Sequence, residues 1–162
     1  MAKPIPDGFH SITPHLVIRN CSEALSYYEK ALGAEILARS PGPDGRLWHA
    51  SMRIGDSIIM MADDFSDMRP DGPRSPQSLG GTSVIINLYC PDVDALFERA
   101  VKAGAVAMMP PADMFWGDRY SQLRDPYGHT WAISTHKEDL TPEERAERGK
   151  QAMAAFAAQA KK

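Results

Sequence analysis

The sequence predicts an α+β domain made of two βαβββ modules, and three observations carry that prediction. Glu23-Ala24-Leu25 followed by Gly33-Ala34 returns as Asp94-Ala95-Leu96 followed by Gly104-Ala105, at a constant offset. Each copy lies in a stretch of helical apolar spacing that stops on its glycine. Each stretch is also preceded by one β-type run and followed by three more, separated by turn residues.

In the first module, Ile12 to Arg19 reads as a strand. Ala24, Leu25, Tyr28, Ala31 and Leu32 then place a helix over 22–32, with Gly33 as its left-handed stop. Strands are expected over 35–40, 46–54 and 57–62, turned by Pro41-Gly42-Pro43-Asp44-Gly45 and by Gly55-Asp56. The second module repeats the order. A strand over 83–90 leads to a helix over 93–103, capped by Asp92 and stopped by Gly104, and strands follow over 105–109, 119–124 and 130–134. Asp125-Pro126-Tyr127-Gly128 turns the last pair.

The chain thus reads as one domain, with modules at 11–62 and 82–136, a linker at 63–81 and a helical tail at 137–162. The linker is rich in Pro, Gly, Ser and Asp and long for a connector, which suits either a solvated link or a lid. In the tail, Thr141 is a helix N-cap, Pro142 the first helical residue and Glu144 the partner in a capping box. Met153, Phe156 and Ala160 form only a thin apolar stripe, suited to the surface or to a partner subunit.

With 162 residues and 43% hydrophobic composition, the chain supports one well-buried core. A formal charge of -3 with both signs interspersed leaves no cationic face for nucleic acid or an anionic membrane. No apolar run reaches membrane-span or signal-peptide length, so a cytoplasmic protein is expected. Cys21 and Cys90, far apart and without metal-type spacing, read as structural thiols.

Three segments in order, Tyr27-Tyr28-Glu29-Lys30-Ala31-Leu32-Gly33, Gly55-Asp56-Ser57-Ile58-Ile59-Met60 and Asp125-Pro126-Tyr127-Gly128-His129, resemble the vicinal oxygen chelate superfamily of glyoxalase I, bleomycin-resistance proteins and extradiol dioxygenases. The likeness covers about 11–136, and Trp116-Gly117-Asp118-Arg119-Tyr120 with Leu123-Arg124-Asp125-Pro126 is similar to its PhnB-like, glyoxalase-like branch. The resemblance implies curved mixed sheets enclosing a small-molecule cavity, and a homodimer. It also implies four inward positions that hold the metal where the family has one. Alignment places these at Thr13, Met60, Ile85 and Ala132, none of which is an imidazole or carboxylate donor. No metal of the family's usual kind is therefore expected, and no cofactor, although histidines recruiting a non-standard divalent metal remain an alternative.

Strand alternation puts His15 and Asn87 on the inward face, each two residues beyond one of those positions. His49, on an interior strand, is the candidate to join them, and Met60 and Ile85 would line the same space. Trp116, beside Gly117, is a candidate ligand wall, and Arg119 a partner for Asp118 or for a ligand anion. Two functions fit. One is binding of a small aromatic or amphipathic molecule without metal. The other is a lyase or isomerase reaction with His49 or His15 as acid or base. The bland alternative for His15 is a hydrogen-bonded core histidine.

Overall fold

The structure, a computed structural model, describes residues 2–159; Ala160 of the expected tail stripe lies outside them. The first module runs β1 (His15–Ile18), α1 (Cys21–Leu32), β2 (Glu35–Pro41), β3 (Leu47–Ile54) and β4 (Ser57–Asp63). A short helix α2 (Pro76–Leu79) follows, and then the second module: β5 (Ile85–Tyr89), α3 (Val93–Lys102), β6 (Val106–Asp113), β7 (Asp118–Arg124) and β8 (Thr130–His136). The chain ends in α4 (Pro142–Gln159). Each module is one four-stranded sheet, β1-β4-β3-β2 or β5-β8-β7-β6, parallel at its first pair and antiparallel elsewhere.

The apolar periodicity explains the core. Ala24, Leu25, Tyr28 and Ala31 of α1 are fully buried with Ile18, Ala50, Met52 and Met61 of the first sheet. Val93, Leu96, Phe97 and Ala100 of α3 are buried in the same cluster as Leu123, Trp131 and Ile133 of the second. Helices α1 and α3 pack on each other, so the two modules share one core on their helix sides. Caps fall where expected. Gly33 closes α1 at φ 70°, Asp92 accepts from the Ala95 N–H at 3.0 Å, and Thr141 and Glu144 exchange the two bonds of a capping box at 2.9 and 3.2 Å.

A buried carboxylate locks the joint. Asp125 accepts from Tyr28 Oη of the first module at 2.6 Å, from Trp131 Nε1 at 2.9 Å, and from the Tyr127 and His129 N–H groups at 2.9 Å each. Charge-assisted bonds of this kind contribute roughly 1.5–3 kcal/mol apiece, and their donors are costly to strand. Arg99 of α3 adds a bond from Nε to the Ala31 carbonyl at 3.0 Å.

Four features differ from the sequence reading. Strand β1 is shorter than expected, with Thr13 before it, its hydroxyl donating to the His10 carbonyl at 3.1 Å. Strand β6 runs on through Pro110 and Pro111, which an edge strand tolerates because both fall in the irregularity between Met109 and Ala112, where the ladder to β7 is interrupted. The linker holds α2 and is latched by Asp64, which accepts from the Ser75 N–H, Ser75 Oγ and Ser78 Oγ. Those bonds outweigh burial, which would raise it, and hold its carboxyl well below the usual range. Finally, β1 and β5 are edges of separate sheets, so the sheets remain unclosed and one chain does not seal a cavity between them.

Candidate functional site

Alternation sorts each sheet into a helix side and an open side. On the first sheet, Leu16 and Ile18 are buried while His15 is exposed. The register sets His15 level with Met60 and Met60 level with Ser51 in one row. His49 stands on the same face, its ring 6.2 Å from that of His15 and edge-on at 71°. Partial desolvation of the ring and then the neighbouring His49 lower the His15 pKa, which favours its neutral form at neutral pH. A hollow of about 370 Å³ opens beside His15 between β1 and the end of the linker, walled by Val17, Arg74, Leu79, Thr82 and His129. The latched linker is thus a wall of this space. His129, which follows the Asp125–Gly128 turn, is buried and donates through Nε2 to the Val17 carbonyl at 3.3 Å.

On the second sheet, Ile86 and Leu88 pack toward the core and Ile85, Asn87 and Tyr89 face out. Asn87 is level with Ala132, and its Oδ1 accepts from Ser134 Oγ at 3.2 Å. Further along lies a cluster the sequence reading did not assemble. Buried Asp118 accepts from Tyr89 Oη at 2.9 Å, Trp116 Nε1 at 3.1 Å and His136 Nδ1 at 2.7 Å. The other nitrogen of His136 meets the exposed carboxylate of Asp139 at 3.0 Å. Asp139 and then Asp118 raise the His136 pKa. Tyr89 was findable, since it is two residues past Asn87 on the same strand face. The Asp118–His136 pairing needed the β7–β8 register, which local pattern does not give.

His15 and His49 are therefore together, whereas Asn87 lies on the other sheet and Trp116 in the loop between its strands β6 and β7. His15 and Asn87 line different hollows, the second being about 480 Å³ and also lined by Ile12, Ile58, Tyr89 and Trp131. Met60 is half-buried in the His15 row, and Ile85 is 52% exposed. Trp116 is held edge-on between Phe115 and Tyr120 as well as by Asp118, so its ring is fixed in place. Arg119 corrects an expectation: it turns away from Asp118 to the helix side, where it grips Asp94 of α3 with bonds of 2.6 and 2.7 Å and meets Asp113 at 3.1 Å. Successive strand residues point to opposite faces, so Asp118 and Arg119 cannot pair across one face.

The register sets His15, not the expected Thr13, level with Met60, and Asn87, not Ile85, level with Ala132. One imidazole, one thioether, one amide and one methyl do not make a ligand set for zinc, nickel, manganese or iron. Among the described residues no group of three His, Cys, Asp or Glu gathers at metal-binding distance. This chain's own residues do not fit the family's metal. What the open faces offer instead is imidazole, amide and phenol groups set among apolar side chains.

Comparison with known proteins agrees with this architecture. Residues 8–133 match the model of the Glyoxalase/Bleomycin resistance protein/Dioxygenase superfamily. An uncharacterised protein of Mycobacterium bovis is 42% identical over 134 residues, covering 83% of this chain and 88% of that protein. Among solved structures, TioX from Micromonospora sp. ML1 superposes with a TM-score of 0.60 at 26% identity, over 82% of this chain and all of that one. A PhnB protein from Bacillus cereus does so with a TM-score of 0.60 at 18% identity, over 78% of this chain and 99% of that one, which speaks for the fold alone. Among the described residues no helix is long and apolar enough to cross a membrane. With the family model spanning most of the chain and two βαβββ modules seen directly, this protein belongs to the glyoxalase/bleomycin resistance protein/dioxygenase superfamily.

Proposed function

We propose that this protein binds a small aromatic or amphipathic molecule without metal, and that the pocket is completed in a homodimer. In that dimer the His15–His49 face of one copy meets the Asn87–Tyr89 face of the other. The observation that carries the reading is the pair of open strand faces. Each combines polar groups with apolar ones, and each ends at an unpaired edge strand, β1 or β5. Ile12 is 87% exposed, Val84 62%, Ile85 52% and Tyr89 60%, all at or beside those edges. Bare edges and exposed apolar residues of this kind are ordinarily covered. A second copy covers both at once in a two-fold arrangement. The free thiols Cys21 and Cys90 accord with a cytoplasmic setting.

The amphipathic dye 8-anilinonaphthalene-1-sulfonate tests this reading. Saturable binding that weakens about tenfold or more on both His15→Ala and Asn87→Ala supports it. Binding indifferent to both rejects it.

One observation favours a second, enzymatic reading. A histidine kept neutral beside a second imidazole is a proton acceptor at neutral pH. In a lyase or isomerase reaction, His15 would take the proton and His49 would orient it. The two readings part on whether a dye-competing ligand is recovered unchanged or converted.

A further inference from the structure

We propose a second binding site, away from the two strand faces, that takes a small planar aromatic carboxylate in the corner formed by Trp48, Phe65, Met68 and Arg69. The corner begins with a break in the β2–β3 ladder. Ser40 pairs with His49, but Pro41 pairs with Leu47, which leaves Trp48 as the extra residue of a bulge. The bulge ejects the indole from the sheet. It is 61% exposed, although Leu47 beside it is buried. Gly42 lies directly beneath, where any Cβ would run into the ring.

The other walls are equally fixed. Phe65, just past β4, stands edge-on to Trp48 at 72° with ring centres 6.0 Å apart. The guanidinium of Arg46 sits 4.5 Å from the Phe65 centroid. Arg46 is itself held by Asp44 at 2.7 Å and Asp67 at 2.8 Å, and its other amino group meets Met68 Sδ at 2.9 Å. Two carboxylates thereby more than match its single charge.

Two aromatic rings and a thioether line an open hollow of about 250 Å³, smaller than the space a drug-sized ligand takes and suited to one or two fused rings. Arg69 completes the lining and pairs with no carboxylate among the described residues. A flat ring against Trp48 and Phe65 with its carboxylate on Arg69 satisfies both halves of the corner.

Titration with 2-naphthoate, read by calorimetry, tests the proposal, with 2-naphthalenemethanol as the uncharged counterpart. Trp48→Ala should weaken naphthoate about tenfold or more, and Arg69→Gln should abolish the preference for naphthoate over the alcohol. His15→Ala and His49→Ala should leave naphthoate binding unchanged, which separates this site from the strand faces. Both corner side chains are exposed, and an unchanged urea midpoint verifies that each variant is folded. Three results overturn the proposal: no saturable naphthoate binding into the millimolar range, equal binding by the Arg69→Gln variant, or a Trp48→Ala change that alters molecular mass instead of affinity. The last would make the corner a contact between copies.

Discussion

The open faces of the two sheets occupy equivalent places in the repeat and carry opposite chemistry. On the first sheet His15 faces another imidazole and is pushed toward its neutral form. On the second, His136 sits between Asp118 and Asp139 and is drawn toward its charged form. Both contrast with the helix-side joint, where Asp125 is surrounded by donors in a closed core. A repeated fold therefore constrains backbone and core, and leaves the outward strand positions free to diverge.

The largest expected effect separates joint from faces. Asp125→Ala strands Tyr28 Oη, Trp131 Nε1 and two backbone N–H groups and should cost about 3 kcal/mol or more, read from urea denaturation. His15→Ala and Asn87→Ala, on exposed strand faces, should each stay within about 1 kcal/mol. Equal losses at all three positions would show that the faces are core after all.

A smaller effect distinguishes the two faces by pH. The folded chain binds a proton at His15 less readily than the unfolded chain. Its contribution is present above about pH 6.5 and is lost as pH falls, and His15→Ala should soften that acid-side loss. His136 has the reverse sign. Its contribution is complete below about pH 6.5 and is lost as pH rises through its raised folded value, and His136→Gln should remove that loss. Urea midpoints measured against pH give both slopes, and shifts of the same sign would break the comparison.

Metal content sharpens it further. Purified protein should carry well under one equivalent of transition metal, because His15, Met60, Asn87 and Ala132 are a poor donor set. Stoichiometric metal that survives dialysis and is lost in the His15→Ala or His49→Ala variant would revise that judgement.

The repeat, the glycine stops, the capping box and strand alternation are local features, and they made the modules, the three long helices and the shared strand face of His15 and Asn87, opposite the helices, legible in the sequence. Three things were not. Arg119 finds Asp94 on α3, a contact set by how the helix lies on its sheet. Trp48 leaves its sheet through a bulge that shifts the register by one residue, which periodicity does not register. Nor does an apolar or polar face say which surface covers it. The sequence shows that β1 and β5 each have a face turned away from the helices, expected to look into a cavity, while the helix-side docking of α1 on α3 is what leaves those faces open.

The central claim is that the ligand pocket is shared between two copies, and mixed dimers test it most directly. Alone, His15→Trp and Asn87→Trp dimers should have mass near twice 17.8 kDa and should not bind the dye, since every pocket carries one blocked wall. Unfolding the two variants together and refolding them at equal amounts creates mixed dimers, each with one doubly blocked pocket and one intact pocket. The account predicts that about a quarter of wild-type binding capacity returns, at wild-type affinity. Two variants that remain silent after mixing, or wild-type protein that binds the dye as a monomer, would contradict it.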